Sequence, residues 1–378
     1  MERILLVTNI FPPHIGGPAS FIDWLGHALS QKGYRVTVIC SSDSPVEPSD
    51  SKRPFRVRRI TGRTGIEYNL KISAALMYEM LRSDCVLVNG LERQVWRVSQ
   101  RIRKHYVLKV VGDTVWETAR NSGWTTMGIE EFQVASLQSP QLKRISDERK
   151  QYLKQAAAII TPSRYLQRKV LKWGVDPARI KVVTNGVPLD RYSQFQPVRR
   201  SEPFLHVGFS GRLTNWKGVE TLLLAVQEVD GIDVSIIGDG PELPLLYELT
   251  KQLGLIDRIN FHGRVNQDKM RQLLAKIHVL VLPSMYEGLS HTLLEASAMG
   301  IACVASESGG NPELIEHGIT GLLVPYGNVE ALKTALVRLR DSEDERYRLA
   351  CAAKENSKKF DFGHTVKETI DVLSKAKF

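Results

Sequence analysis

Residues 277–295 read IHVLVLPSMYEGLSHTLLE and decide the fold class of this chain. Residues 277–283 form a continuous apolar run that ends in proline, which is typical of a strand buried in a parallel sheet. Gly288 and Ser290 then open a helix, so free backbone N–H groups and the positive end of the helix dipole follow the strand directly. This strand-to-helix junction predicts an α/β fold with an anion-binding site at the junction.

The same alternation of strand and helix patterns recurs along all 378 residues. Residues 4–40 already contain an apolar run, a helical pattern and a second apolar run. Consecutive βαβ units of this kind predict an α/β protein with two doubly wound, Rossmann-like domains that face each other across a cleft. We expect the domains to span residues 1–196 and 203–360, and a last helix at 364–378 to pack back on the first domain.

Composition places the chain among ordinary globular proteins. It is 43% hydrophobic and 24% charged, and its apolar runs are far shorter than the roughly 18 residues of a membrane span. The N-terminus reads as a first strand rather than a signal peptide, so a soluble, cytoplasmic protein is expected. The cysteines lack metal-ligand spacing and are expected to be buried reduced thiols; they are Cys40, Cys85, Cys303 and Cys351.

Charge is distributed unevenly between the two halves. Residues 1–200 hold 32 Lys and Arg against 17 Asp and Glu, a net charge of +15, whereas residues 201–378 hold 19 against 24, a net charge of −5. Segments 52–60 and 96–106 interleave cations with apolar and aromatic residues, which predicts peripheral contact of the basic half with an anionic membrane surface. A generic basic surface that aids solubility is the alternative. No nucleic acid is expected, since the second half is acidic and has no nucleic-acid motif.

Four charged residues in the second half suggest a binding site. Arg212 and Lys217 follow an apolar run and precede a helical pattern, where two fixed cations could stabilise a departing diphosphate. Glu287 and Glu295 flank the junction described above, and sugar and ribose hydroxyls would satisfy two such carboxylates. A solvated basic turn and structurally satisfied glutamates are the alternatives that the spacing leaves open.

A glycine pair follows the first apolar run in the first half. Gly16 and Gly17 allow close approach of the backbone to a phosphate at the start of a helix. An ordinary tight turn would explain the pair equally well.

Several ordered motifs resemble those of the retaining glycosyltransferases of family four, which have the GT-B fold. The resemblance is dense over residues 205–326 and continues more weakly to the N-terminus. The motifs that carry it are Ser210-Gly211-Arg212 with Lys217-Gly218, Gly238-Asp239-Gly240-Pro241, Phe261-His262-Gly263, Pro283-Ser284 with Glu287-Gly288, Glu295-Ala296 with Gly300, and Gly309-Gly310-Asn311-Pro312-Glu313.

The resemblance implies a role for each of these positions. Arg212 and Lys217 would bind the diphosphate, while Glu287 and Glu295, spaced as a Glu-x7-Glu motif, would hold the donor sugar and the ribose. The remaining donor contacts would come from Gly16 and Gly17 of the opposite domain, from Gly288, Leu289 and Ser290 near the phosphates or sugar, and from the backbone near Val265 at the base. Enzymes of this family use no metal and no cofactor, and the leaving phosphate is thought to take the proton of the acceptor.

One position departs from the family pattern. The family often has a histidine soon after the fourth strand of the first domain, whereas residues 109–117 of this chain contain none. Asp113 lies at the predicted strand end, and we expect it to take over a hydroxyl-binding or polarising role.

The sequence therefore predicts a retaining, metal-independent glycosyltransferase. It would move a sugar from a UDP- or GDP-sugar to a hydroxyl acceptor such as a lipid-linked glycan or polysaccharide precursor, at the inner face of the membrane. A sugar-nucleotide epimerase of the same fold and a non-catalytic polyanion-binding protein are the alternatives.

Overall fold

Two compact units make up the chain. The computed structural model describes residues 2–14, 16–135, 139–199, 202 and 204–376. Backbone contacts assign Met1–Thr184 and Gly363–Phe378 to the first unit, and Asn185–Phe362 to the second. Each unit contains a parallel sheet flanked by helices, so the prediction of two Rossmann-like domains is confirmed. Residues 1, 203, 377 and 378 of the predicted domain limits lie outside the described residues.

The first unit is built on a seven-stranded parallel sheet in the order β3-β2-β1-β4-β5-β6-β7. Its strands are β1 (Arg3–Thr8), β2 (Arg35–Ser42), β3 (Arg56–Thr61), β4 (Cys85–Asn89), β5 (Val107–Lys109), β6 (Ala158–Thr161) and β7 (Ile180–Val182). Its helices are α1 (Gly17–Gln31), α2 (Ile66–Arg82), α3 (Glu92–Ile102), α4 (Thr114–Asn121), α5 (Ile129–Val134), α6 (Pro140–Gln155), α7 (Arg164–Lys172) and the C-terminal helix, α14 (Phe362–Lys375).

One face of this sheet carries the main core of the unit. Alternate residues of the central strands, such as Val7, Val88 and Leu108, pack under side chains of α2, α3 and α6. α2 contacts α3, and α3 contacts α6, so the three helices form one layer. The faces of these helices that point away from the sheet therefore lie on the same side of the unit.

The second unit is built on a six-stranded parallel sheet in the order β10-β9-β8-β11-β12-β13. Its strands are β8 (Leu205–Ser210), β9 (Ile232–Ile237), β10 (Ile259–Gly263), β11 (Val279–Leu282), β12 (Ala302–Ser306) and β13 (Leu322–Val324). Its helices are α8 (Val219–Gln227), α9 (Leu243–Gln252), α10 (Gln267–Leu274), α11 (His291–Met299), α12 (Val329–Asp341) and α13 (Glu343–Ser357).

The division between the units falls at Asn185, ahead of the segment where the sequence predicts the join. The reason lies in the contacts of the following residues, because the Asn185 side chain donates to the carbonyl oxygen of Leu289 at 3.3 Å. The short 3-10 turn Leu189–Tyr192 then packs on α11. At the other end, Thr365 of α14 donates to the carbonyl oxygen of Thr184 at 2.8 Å, which ties the last helix to the first unit.

The cysteines are free thiols. Cys40, Cys85 and Cys303 are buried as expected, whereas Cys351 is only half-buried. Burial raises the pKa of the Cys85 thiol to about 11. In the described parts of the chain, no helix has the length and apolarity that a membrane crossing requires.

Candidate functional site

The predicted donor residues gather at one edge of the second sheet. β8, β11 and β12 are parallel neighbours, so the loops that follow them leave the sheet at the same carboxyl edge. The loop after β8 carries Arg212 and Lys217, and the loop after β11 carries Glu287 through Ser290. Two loops thus bring residues distant in sequence to one place.

Two glycines hold these loops in close backbone contact. Gly218 has a positive φ of 69°, and a Cβ atom there would lie 2.0 Å from the carbonyl oxygen of Pro283. A Cβ atom on Gly309 would lie 2.1 Å from the carbonyl oxygen of Glu287. Because a side chain cannot approach a backbone oxygen so closely, glycine is required where the loops after β8 and β12 meet the loop after β11.

Lys217 and Glu287 form an ion pair across two of the loops. The distance from Lys217 Nζ to Glu287 Oε1 is 2.6 Å, and the two side chains are 19% and 12% exposed. The backbone N–H of Met285 donates to the carbonyl oxygen of Trp216 at 2.7 Å, which fixes the turn that presents Lys217. The predicted phosphate-binding cation and the predicted sugar-binding carboxylate therefore lie side by side.

Arg212 presents a second cation from the loop after β8. Its side chain is exposed. Among the residues that the structure describes, it forms no salt bridge. The guanidinium is therefore open to an anion from solution.

The N-terminus of α11 lies beside the ion pair. Ser290 caps this helix, and its Oγ accepts a hydrogen bond from the backbone N–H of Leu293 at 3.2 Å. Over the described ranges, the backbone N–H groups of Leu289 and Ser290 donate to no protein acceptor. Together with the helix dipole, they offer donors to a negatively charged group. Gly288 precedes them in the same loop.

Glu295 lies inside α11 and is buried. Burial raises the pKa of this carboxyl to about 7, although nearby Arg271 and a hydrogen bond with the Tyr192 hydroxyl act in the opposite direction. A carboxyl so placed can exchange its protein partner for a ligand hydroxyl.

Three further predicted donor residues lie on other elements, Val265 in the second unit and Gly16 and Gly17 in the first. Val265 lies two residues after the end of β10 and is half-buried, next to Asn266, whose side chain accepts from Lys269 N at 2.8 Å and caps α10. Gly16 and Gly17 belong to the first unit, where Gly16 has a φ of 152° at the start of α1. The described cluster therefore consists of Arg212, Lys217 and the loop residues 287–290 at the start of α11.

The surroundings of Asp113 differ from the expectation. Asp113 is fully buried and caps α4, accepting from the backbone N–H groups of Val115 and Trp116 at 3.1 Å. It also accepts from Gln133 at 2.8 Å and from Arg149 at 2.7 Å. Three of these donors share Oδ1 and one reaches Oδ2, so the observed contacts give Asp113 a structural role, and its predicted hydroxyl-binding role stays a prediction.

Sequence reasoning missed the two residues around Glu295. Tyr192 lies in the segment where periodicity stops, and Arg271 lies on α10. Neither carries a motif, so only the fold brings them to α11. No sequence signal beyond a lone aromatic residue in a connecting segment points to Tyr192.

The basic segment 52–60 also differs from its interpretation. Arg53 and Arg59 are nearly buried and pair with Asp50 at 2.9 and 2.7 Å, and Phe55 is buried. The segment forms β3 and an internal ion-pair network rather than a free cationic surface. In the part of the chain that is described, no cluster of three or more His, Cys, Asp or Glu residues is placed to hold a metal ion.

Family models match nearly the whole chain. The model of glycosyltransferase family 4 matches residues 15–191, and the model of glycosyl transferases group 1 matches residues 190–356. The two matches meet close to the division between the structural units.

Full-length relatives agree with this assignment. A GDP-mannose-dependent alpha-(1-6)-phosphatidylinositol monomannoside mannosyltransferase of Mycobacterium tuberculosis is 25% identical, over 94% of this chain and 93% of its own length. An uncharacterised glycosyltransferase of Methanocaldococcus jannaschii is 29% identical, over 98% of this chain and 97% of its own.

Solved structures show the same fold. Sucrose-phosphate synthase of Thermosynechococcus elongatus superposes with a TM-score of 0.83 at 20% identity, over 99% of both chains. Anabaena HepE, solved with UDP and glucose, gives a TM-score of 0.78 at 21% identity, over 99% of this chain and 100% of its own. The chain belongs to glycosyltransferase family 4 and has the GT-B fold.

Proposed function

We propose that this glycosyltransferase transfers a sugar from a nucleoside diphosphate-sugar to a hydroxyl acceptor with retention of anomeric configuration and without a metal ion. The observation that carries the proposal is the ion pair of Lys217 and Glu287 beside the N-terminus of α11. A cation, a carboxylate and free backbone donors at one sheet edge suit a ligand that carries phosphates next to a sugar.

The donor would bind along this edge. Arg212 and Lys217 neutralise the diphosphate, and the amides of Leu289 and Ser290 donate to it or to the sugar. Glu287 accepts from hydroxyls of the sugar, and Glu295 accepts from hydroxyls of the ribose. The base lies near Val265.

The two cations supply the electrostatic work of the reaction. The bond between the anomeric carbon and the leaving diphosphate oxygen breaks, and negative charge grows on that oxygen beside Lys217 and Arg212. The acceptor oxygen bonds to the anomeric carbon on the same face, and its proton passes to the leaving phosphate oxygen. In this mechanism the fixed cations neutralise the charge that a metal ion neutralises in other transferases.

The relatives suggest the classes of donor and acceptor. The mycobacterial relative is named for GDP-mannose and for a phosphatidylinositol mannoside acceptor, and HepE was solved with UDP-glucose. We therefore propose a UDP- or GDP-sugar as donor and a lipid-linked acceptor. The basic first half, with a net charge of +15 over residues 1–200, would hold the enzyme at the inner face of an anionic membrane.

A panel of nucleotide sugars tests the proposal. Thermal-shift screening should identify one donor that stabilises the protein, because a ligand that binds only the folded state raises Tm by mass action. Incubation of that donor with label in the sugar should then give transfer to an added alcohol, or slow hydrolysis, with the α-configuration kept. Recovery of a donor with altered sugar stereochemistry would indicate an epimerase instead, and binding without turnover would indicate a non-catalytic protein.

A further inference from the structure

The outer face of α2 carries an apolar stripe that no part of the protein covers within the described residues. Ile66 is 82% exposed, Leu70 67%, Tyr78 43% and Leu81 62%. Ala74 is exposed between them. These five positions are spaced by three or four residues, so they share one helix face. The buried side chains of α2, such as Ile72 and Leu76, face the sheet instead.

Cations border this stripe. The guanidinium of Arg82 lies 4.1 Å from the centroid of the Tyr78 ring, and that of Arg58 lies 5.5 Å away on the same ring. The acidic residue beside the stripe, Glu67, is paired with Lys71 at 2.5 Å. Arg58 is also paired with Glu79 at 3.2 Å, whereas Arg82 forms no salt bridge among the described residues, so one uncompensated positive charge borders the stripe.

The neighbouring helix adds free arginines on the same side. α3 packs against α2 in one layer, and Arg97 and Arg101 of α3 and Arg103 just after its end are exposed. No salt bridge involves these three arginines among the residues described. Unlike the arginines of segment 52–60, they keep their charge available to an external partner.

We propose that the outer face of α2 and α3 docks the protein on an anionic lipid surface. Apolar side chains at helical spacing enter the boundary between headgroups and acyl chains, and arginines beside them pair with lipid phosphates. The positive charge favours an anionic membrane over a second copy of this chain, since two like-charged faces repel each other. The inference rests on the proposed function in one respect, because it gives the lipid-linked acceptor a place of arrival on the first unit.

The position of the stripe fits this use. Ile66 begins α2 shortly after β3 ends at Thr61, so the stripe starts at the carboxyl edge of the first sheet. Gly16 and Gly17 follow β1 at the same edge. An acceptor that stays in the membrane would thus reach the edge where the first unit is expected to bind its ligand.

Vesicle flotation of the full-length protein tests the inference. The probe is large vesicles of phosphatidylcholine with 30% phosphatidylglycerol, compared with pure phosphatidylcholine, at low and physiological salt. We expect binding to the anionic vesicles only, about tenfold weaker for Leu70→Ser with Leu81→Ser and for Arg97→Gln with Arg101→Gln. The matched controls are Leu245→Ser with Ile256→Ser, two exposed apolar residues of the second unit, and Lys32→Gln with Arg35→Gln, two exposed cations after α1.

Three outcomes would overturn the inference: no preference of the wild type for anionic vesicles, unchanged binding of the α2 variant, or equal losses in the controls. A dimer in light scattering that the α2 variant dissociates would assign the stripe to a second copy and would also overturn it. Nucleotide-sugar stabilisation is measured on the same samples. If no nucleotide sugar stabilises the wild type, the proposed function is refuted but the membrane inference is not, because vesicle binding does not depend on nucleotide binding.

Discussion

At the scale of single residues, the pairing of Lys217 with Glu287 predicts that removing the Glu287 charge affects nucleotide binding and sugar transfer differently. Glu287→Gln removes the negative charge beside Lys217, so free UDP or GDP should bind as tightly as before or a few times more tightly. Sugar transfer should fall at least 100-fold, because a carboxylate that holds the sugar is lost. Calorimetric titration and initial rates measure the two effects, with Glu220→Gln on the exposed side of α8 as the control. A parallel loss of nucleotide binding and transfer would contradict the assigned roles.

The raised pKa of Glu295 predicts a pH-dependent stability. Burial holds this pKa near 7, above the usual 4.5, so the folded state favours the neutral carboxyl. The stability linked to this proton is complete below about pH 4.5 and is lost as pH rises through 7. Glu295→Gln, which cannot ionise, should therefore gain about 2 kcal/mol relative to wild type between pH 5 and pH 8. Thermal unfolding across that range checks the sign, and a constant difference would show that Glu295 ionises normally.

Asp113 is predicted to matter for stability. Asp113→Ala leaves Arg149 buried without its carboxylate partner and uncaps α4, which should lower the free energy of unfolding by about 3 kcal/mol or more. Asp147→Ala, which breaks an exposed pair with Lys150, serves as the control and should change it by under about 1 kcal/mol. Normal stability of Asp113→Ala with abolished transfer would restore the catalytic role that the sequence suggested.

The positions of residues were predictable where a motif marked them. Lys217 and Glu287 could be placed together because each follows an apolar run that ends at a sheet edge. Tyr192 could not be placed, since its contact with Glu295 depends on how a connecting segment folds. The capping role of Asp113 was not predicted, because a strand end and a helix start coincide there and an aspartate before a helical pattern fits both a cap and a ligand contact.

At the scale of elements, the contact between Gly218 and Pro283 predicts a severe effect of one methyl group. Gly218→Ala should force apart the loops that carry Lys217 and Glu287 and should lower stability by about 2–4 kcal/mol, from overlap and from positive φ. Nucleoside diphosphate affinity should fall at least tenfold. Gly254→Ala is the matched control, because Gly254 has a similar φ of 70° and no atom within 4 Å of the added Cβ. If both variants weakened nucleotide binding equally, the contact between Gly218 and Pro283 would not be what shapes the nucleotide site.

The two strands that the sequence did not predict both lie at sheet edges, although the other two edge strands, β7 and β10, were predicted. The central strands read as unbroken apolar runs, as strands covered on both faces do. β3 (Arg56–Thr61) and β13 (Leu322–Val324) were not predicted, and both lie at the edge of their sheets. β3 carries Arg56, Arg58 and Arg59, a charge pattern that an edge strand tolerates but that reads as a surface segment in the sequence.

At the scale of the whole molecule, the repeated strand–helix rhythm was enough to predict two Rossmann-like units. It did not predict the boundary between the units. Loss of periodicity marks a connecting segment but does not show on which unit that segment packs. The contacts of Asn185 and Tyr192 decide that point in favour of the second unit.

The central claim is that the carboxyl edge of the second sheet holds the diphosphate of a nucleotide sugar. Calorimetric titration of UDP and GDP into wild type and Lys217→Ala, with Lys251→Ala on α9 as the control, tests it most directly. We expect one of the two nucleotides to bind the wild type and the control with one-to-one stoichiometry and to bind Lys217→Ala at least 30-fold more weakly. Equal affinity in all three proteins, or no binding of either nucleotide to the wild type, would contradict the claim.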